Sequence, residues 1–347
     1  MKTVLPYSRQ VISEEDIAAV ATVLRSPLLT SGPEVELFEQ ELAAYLGAKH
    51  VVAVSSGTAA LHLALLAHGI RPGDEVIVPA LTFVATANAV LMSGGIPVFQ
   101  DVEPDTLMVA IDPSIWGISV DYAGQPDGSA RIIDAAHSLG AKRDWSRGTY
   151  TLSFHPVKAI TTGEGGAIAT DDAALAERCR LLRSHGRRDG EMVALGFNYR
   201  MSDIAAALGR SQLRRADEMV ARRRALAKAY LHALRGFFEA GEISVPAIDA
   251  ERSAWHLMPV LFRDRECRER ARTVLAQAGI ETAVHYPPVH LQPYYRERFG
   301  YREGMFPVAE DAASRILSLP LHPGMDEGDV GTVVGTIKGA LAKQAAA

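Results

Sequence analysis

The sequence predicts an α/β fold built on a mostly parallel sheet, with a smaller α+β unit at the C-terminal end. From Ser13 onward short apolar runs alternate with stretches of helical period, as strands joined by helical crossovers do. Glycines stand where one pattern gives way to the other, as at Gly57 and Gly69. After a nearly all-helical stretch over 202–234 the composition shifts at Gly236. These observations place a boundary near residue 225, giving a large domain over 1–225 and a small one over 226–347.

HVVAVSS (50–56) reads as a buried strand, passing through Gly57 into the helix TAALHLALLAHG. DEVIVPA (74–80) is a second strand before the helical TFVATANAVLMSGG. GIPVFQDV (95–102), WGISVDY (116–122), ARIIDAA (130–136), TYTLSFH (149–155) and GGAIATD (165–171) continue the strand series. Residues 172–185 form an amphipathic helix, acidic at its start and basic at its end, which suits the helix dipole. In the small domain WHLMPVLF (255–262) and TAVHYPPV (282–289) read as strands around the helix RERARTVLAQAG, and the AKQAAA tail as disordered.

Of the 347 residues 48% are hydrophobic and 22% charged, enough for a large core. With 36 basic against 41 acidic side chains the formal charge is −5, so no global field draws the chain to nucleic acid or anionic lipid. Cys179 and Cys267 lie far apart in charged, helix-like stretches, which argues against a disulfide framework or a cysteine metal site and for a reducing cytoplasm. The N-terminus lacks the apolar run of a signal peptide, and no stretch has membrane-spanning length.

SFHPVKAITTGEGGA (153–167) sets a lone lysine, Lys158, between a short strand and a glycine-rich turn. A Schiff-base lysine in that position requires an electron sink, and pyridoxal phosphate is the usual one. Such a site needs a carboxylate facing the pyridine nitrogen. Asp134, following two isoleucines at a strand end, is the candidate, although a residue so placed also reads as a helix cap. It needs a phosphate cradle as well, and SSGTAAL supplies Gly57 and Thr58 at a helix start, with Ser153 able to add a hydroxyl. Phe83 could stack on the ring or simply belong to the core. All of these follow strands, and strand ends gather on one edge of an α/β sheet.

SSGTAALHLAL, DEVIVPALTFVATANAV, IDAAHSLGA, SFHPVKAITTGEGGA and GFNYRMSDIAAALGRSQL resemble the DegT-type nucleotide-sugar aminotransferases, a fold-type-I pyridoxal phosphate group, over about residues 7–335. The segment from HYPPVH to LPLHPG further resembles the pseudaminic acid pathway aminotransferases, which move an amino group from L-glutamate to the 4-keto carbon of a UDP-2-acetamido-2,6-dideoxy-hexos-4-ulose. The resemblance implies that Lys158 bonds the cofactor and shuttles the proton, Asp134 pairs with the pyridinium and His137 lies near the ring hydroxyl. Gly57, Thr58 and Ser153 would hold the phosphate and Phe83 would stack. Asn198 would reach the phosphate of a neighbouring subunit, which implies a homodimer. Leu29, Thr30 and Ser31, with Arg200, His285 and Tyr286, are candidates for sugar-nucleotide contacts. Related dehydrases carry histidine at the place of Lys158, so transamination is expected over dehydration.

The chain departs from the family between 111 and 134, where it is too short for the usual covering helices. Asp121 stands in place of a family histidine and Ile133 in place of an acidic residue, which opens the question of the pocket wall. A competing reading takes SDIAAALGRSQLRRADEMVARRR as a DNA-binding helix-turn-helix, opposed by the negative net charge and by the absence of a separate small domain. His285 and His290 lack the spacing of metal ligands, and no metal is expected. Within the enzyme class, dTDP- or GDP-linked keto-sugars are the alternative substrates.

Overall fold

The computed structural model describes residues 4–126 and 129–342; the tail over 343–347, read above as disordered, lies outside the described residues. Helices α1 (Glu14–Leu24) and α2 (Pro33–Leu46) lead into β1 (His50–Val54), α3 (Gly57–His68), β2 (Glu75–Pro79), α4 (Val84–Met92) and β3 (Ile96–Gln100). Strands β4 (Ile118–Val120), β5 (Ile132–Asp134), β6 (Thr149–Ser153) and β7 (Gly166–Thr170) follow, then α5 (Ala173–Arg183) and a hairpin of β8 (Arg187–Arg188) and β9 (Glu191–Met192).

Five strands pair in the order β1-β7-β6-β5-β4, and β2 pairs with β3 in parallel. A parallel bridge between Ile77 and Gly117, with Ile77 N donating to Trp116 O at 2.9 Å, joins β2 to β4. The sheet thus runs β3-β2-β4-β5-β6-β7-β1, with β7 alone antiparallel to its neighbours. Period-2 alternation feeds a core on each face. Val52, Val54 and Ile168 pack under α3 and α5, whereas Val51, Ala53, Ala167 and Ala169 pack under α2 and α6 (Asp203–Leu213).

Among the described residues of the short region between β3 and β5 the helical structure is a 3-10 turn, Tyr122–Gly124, following β4, in place of the family's covering helices. Irregular chain covers the sheet instead. Val102, Leu107, Val109 and Ile111 close one side, and a Cβ on Gly117 would stand 2.7 Å from Ile111, so glycine there permits the close approach. On the other side the 138–147 loop is tied down by Asp121, a buried residue that pairs with Arg143 and accepts from Ser138 Oγ.

Helix α7 (Ala216–Ala233) links two cores: Ala216 and Met219 join the large-sheet core, whereas Leu226, Ala227 and Tyr230 join the C-terminal one. Beyond it lie α8 (Arg235–Glu239), β10 (Ile243–Ser244), β11 (Met258–Phe262), α9 (Arg265–Gln277), α10 (Pro293–Phe299), α11 (Pro307–Arg315), β12 (Ile316–Leu319) and α12 (Glu327–Ala342). Strands β10-β11-β12 form an antiparallel sheet under α9 and α12. The strand expected over 282–289 is absent: Ala283 alone bridges, to Ser318. Pro287 and Pro288 lack the N–H groups a ladder needs. Among the described residues no helix is long and apolar enough to cross a membrane.

Candidate active site

Strand β5 delivers Asp134 to the edge of the sheet, and its alternation turns Ile133 toward one core and Asp134 to the opposite face, where α4 lies. Asp134 is 8% exposed; Thr86 Oγ1 of α4 donates to one carboxylate oxygen at 2.9 Å and Ala136 N–H to the other at 3.2 Å. Burial raises its pKa, opposed by those two hydrogen bonds and by the charge of Lys158. Among the described residues it has no arginine partner.

Lys158 follows β6 in a tight turn, its N–H donating to His155 O at 2.9 Å. Burial pushes its amine down to about 8, against the opposing pull of Asp134, while Arg223 acts in the same direction as burial. An amine near that value keeps a usable neutral fraction at physiological pH.

His137, three residues past β5, pairs through Nε2 with Tyr286 Oη at 2.9 Å, while its buried Nδ1 has no partner among the described residues. Burial, then the charge of Lys158, holds this imidazole well below its ordinary pKa, and burial drives the Tyr286 phenol well above its own. Both are neutral at pH 7. Where Tyr286 donates to Nε2 the histidine proton sits on Nδ1, free to donate; in the other tautomer Nε2–H donates to Tyr286 Oη and Nδ1 accepts. His285 pairs with Ser318 Oγ at 2.9 Å, and burial lowers it to about 4. Phe83 lies at the mouth, 56% exposed, its ring centroid 6.0 Å from that of Tyr286.

The second cluster is the start of α3. Ser56 Oγ caps Ala59 N–H at 3.1 Å and Ser56 O accepts from Ala60 N, which leaves the N–H groups of Gly57 and Thr58 without helical partners. A Cβ on Gly57 would come within 2.9 Å of the Ser153 Cβ, and one on Gly166 within 2.7 Å of the Gly57 nitrogen. Only glycine leaves this cradle open, and its dipole end favours an anion. Leu29, Thr30, Ser31, Asn198 and Arg200 form a third group beside β1. Thr30 bridges Ser202, Arg200 bridges Val54, Asn198 bridges Ser184, and Ser31 and Arg200 line a cavity of about 500 Å³. No hydrogen bond, ion pair or ring contact joins these five to the Lys158 cluster among the described residues.

Sequence reasoning missed Thr86, the donor to Asp134, and His256, whose ring centroid is 4.1 Å from that of His137. Thr86 stands four residues after Thr82, to which it is hydrogen-bonded at 2.8 Å, and that helical spacing was the available signal. His256 offered none, because its place depends on how the C-terminal domain docks. His290, weighed as a ligand, instead pairs with Glu310 at 3.0 Å.

The model of the DegT/DnrJ/EryC1/StrS aminotransferase family matches residues 10–114 and 125–338. The chain belongs to this family. The break in the match falls in the shortened region where irregular chain replaces covering helices. A relative, the spore coat polysaccharide biosynthesis protein SpsC of Bacillus subtilis (strain 168), is 38% identical over 96% of both chains. The solved structure of the putative sugar aminotransferase Spr1654 of Streptococcus pneumoniae in its PMP form superposes with a TM-score of 0.91 at 28% identity, covering 98% of each chain. Helicobacter pylori PseC, an aminotransferase involved in the biosynthesis of pseudoaminic acid, gives 0.88 at 30% identity over 98% of this chain and 100% of its own.

The fold is therefore that of the DegT-type pyridoxal phosphate aminotransferases, and the protein is a pyridoxal phosphate-dependent sugar aminotransferase. Its residues fit that cofactor: a glycine-lined anion cradle, a buried carboxylate lacking a cation other than Lys158, and an unpartnered imidazole nitrogen. The segment weighed as a helix-turn-helix lies within the family match, and α6 packs against α1 and α2.

Proposed function

We propose that this aminotransferase moves the amino group of L-glutamate to the 4-keto carbon of a UDP-linked 2-acetamido-2,6-dideoxy-4-keto-hexose. The observation that carries the chemistry is a lysine amine held near pKa 8 beside a buried, otherwise unpaired Asp134. The 30% identity to PseC over nearly the whole chain supports the sugar. The higher identity to SpsC favours a second reading, another nucleotide-linked keto-deoxysugar, dTDP- or GDP-bound, destined for a polysaccharide.

Bound, pyridoxal phosphate supplies an electron sink at the reacting carbon. Asp134 would hold the proton of the ring nitrogen, its carboxylate fixed by Thr86. With the cofactor bound, His137 would face the ring hydroxyl through Nδ1, Phe83 would cover the ring, and Gly57, Thr58 and Ser153 would hold the phosphate. Lys158 Nζ accepts and returns the proton in both half-reactions, with glutamate first and the keto-sugar second. We assign Asn198 to the phosphate of a partner subunit in a homodimer, and Leu29, Thr30, Ser31, Arg200, His285 and Tyr286 to the sugar nucleotide. We also propose the division into 1–225 and 226–347, supported by the change of core along α7, and a cytoplasmic location, supported by two free cysteines.

The test offers the purified protein L-glutamate with UDP-, dTDP- and GDP-4-keto-sugars and detects aminated product by mass. Amination of the UDP-N-acetyl sugar alone supports the first reading, and preference for a dTDP or GDP sugar replaces it with the second. Borohydride reduction followed by peptide mapping tests the lysine: the cofactor mass on any peptide without Lys158 overturns its assignment.

A further inference from the structure

Arg223 of α7 is 1% exposed, and no carboxylate pairs with it among the described residues. It donates through Nη1 to Leu321 O at 2.7 Å and His256 O at 3.3 Å, and through Nη2 to Val157 O at 3.4 Å, while Nε has no partner. A buried guanidinium held only by carbonyls keeps its full charge and is costly to fold around. Arg143, its side chain 4% exposed, has Asp121 to neutralise it. The expense at Arg223 points to a role beyond packing.

The groups facing Arg223 come from every element around it. The N-terminal segment brings Tyr7, whose phenol burial keeps protonated; the lysine turn brings Lys158; the chain after β5 brings His137; the segment before β11 brings His256; the chain after β12 brings His322. Asp134 and His285 also act on the lysine, and neither is named among the charges acting on Arg223. None of the groups facing Arg223 is an anion at neutral pH. Val157, whose carbonyl Arg223 holds, immediately precedes Lys158.

We propose that Arg223 is a positioning residue for Lys158: it pins the carbonyl preceding the lysine and, as an unpaired buried cation, opposes a second positive charge at the lysine amine. This rests on the assignment of Lys158 above. The field acts in one direction on the whole cluster, favouring the neutral forms of Lys158, His137, His256 and His322 together. The amine is thereby kept able to take a proton, and Arg223 ties the carbonyl before the lysine to Leu321 and His256.

The test reads the lysine without turnover. The full chain, stripped of cofactor, is labelled with an amine-reactive anhydride across pH, and the modification of the Lys158 peptide is followed by mass. Arg223→Gln, which still donates but carries no charge, raises the pH midpoint and slows labelling at pH 7 by roughly threefold or more. Arg223→Lys keeps the parent midpoint. Tyr7→Glu, which leaves Arg223 in place but offers it a carboxylate, also raises the midpoint, and decides the matter if Arg223→Gln does not fold. A parent-like midpoint in folded Arg223→Gln, or failing that in Tyr7→Glu, overturns the proposal, as does a shift in Arg223→Lys equal to that of Arg223→Gln. Failure of the Lys158 assignment is distinguished by borohydride mapping, which places the cofactor on another peptide whatever the labelling shows.

Discussion

Two aspartates stand side by side at the same edge of the sheet and do different work. Asp121 follows β4, Asp134 ends β5, and Asp121 N donates to Asp134 O at 3.0 Å. Both are buried. Asp121 is neutralised by Arg143 and a serine hydroxyl, and it anchors a loop. Asp134 is given a threonine hydroxyl, one backbone N–H and a lysine whose own charge is suppressed. Burial with a matched partner gives a structural residue; burial with an incomplete one leaves charge to be balanced by a ligand.

The largest expected effect breaks the functional member. Lys158→Ala abolishes turnover, and Asp134→Ala, which on the proposed assignment removes the acid facing the ring nitrogen, lowers kcat by on the order of 10²-fold or more. Melting temperature of the cofactor-free chain changes little in Asp134→Ala, because the cation facing it, Lys158, can release its proton instead of standing unpaired. Asp121→Ala shows the reverse. It strands Arg143 in the core and destabilises the chain by roughly 3 kcal/mol, measured by denaturant unfolding, while the folded fraction turns over at near the parent rate.

The same contrast explains what the sequence disclosed. Lys158, Asp134, Gly57 and Ser153 sit in contiguous motifs at strand ends, where local pattern and backbone chemistry coincide, so their grouping on one edge could be read from order alone. The strands were legible for the same reason, as apolar runs buried on two faces. What could not be read depends on docking between distant segments. His256, before β11, reaches His137, after β5, and Arg223 lay in the basic run weighed as part of a DNA-binding helix-turn-helix. Asp121 was read as a departure that put the pocket wall in question, and its partner Arg143 lies in a loop with no periodic signal. The strand expected at 282–289 failed because apolar alternation there serves a pocket wall broken by Pro287 and Pro288.

A smaller change sharpens the comparison without removing either carboxylate. Thr86→Val deletes the hydroxyl that donates to Asp134 and leaves the shape nearly intact. Losing one hydrogen bond to a buried charged acceptor costs about 1 kcal/mol, read as a fall of roughly fivefold in kcat/KM. An unchanged value would mean that Asp134 is oriented by its backbone hydrogen bond alone.

The smallest effect concerns stability and carries its own sign. The Lys158 amine falls to about 8 in the folded chain, against about 10.4 unfolded. Between those values the unfolded chain binds more protons, so the stability of the cofactor-free parent rises with pH across that window. Below about 8 the folded chain carries the full penalty of a desolvated ammonium. Lys158→Met removes it, so the variant is more stable than the parent at pH 7, by roughly 1 kcal/mol, and the difference shrinks as pH climbs toward 10. Asp134 trims the gain, since without its cationic neighbour it holds a proton more readily at low pH. Urea midpoints at pH 7 and pH 9.5 check this. A gain that does not shrink with pH would mean that packing, and not charge, makes Lys158 costly, and that the lysine resembles Arg143 more than Asp134's unpaired counterpart.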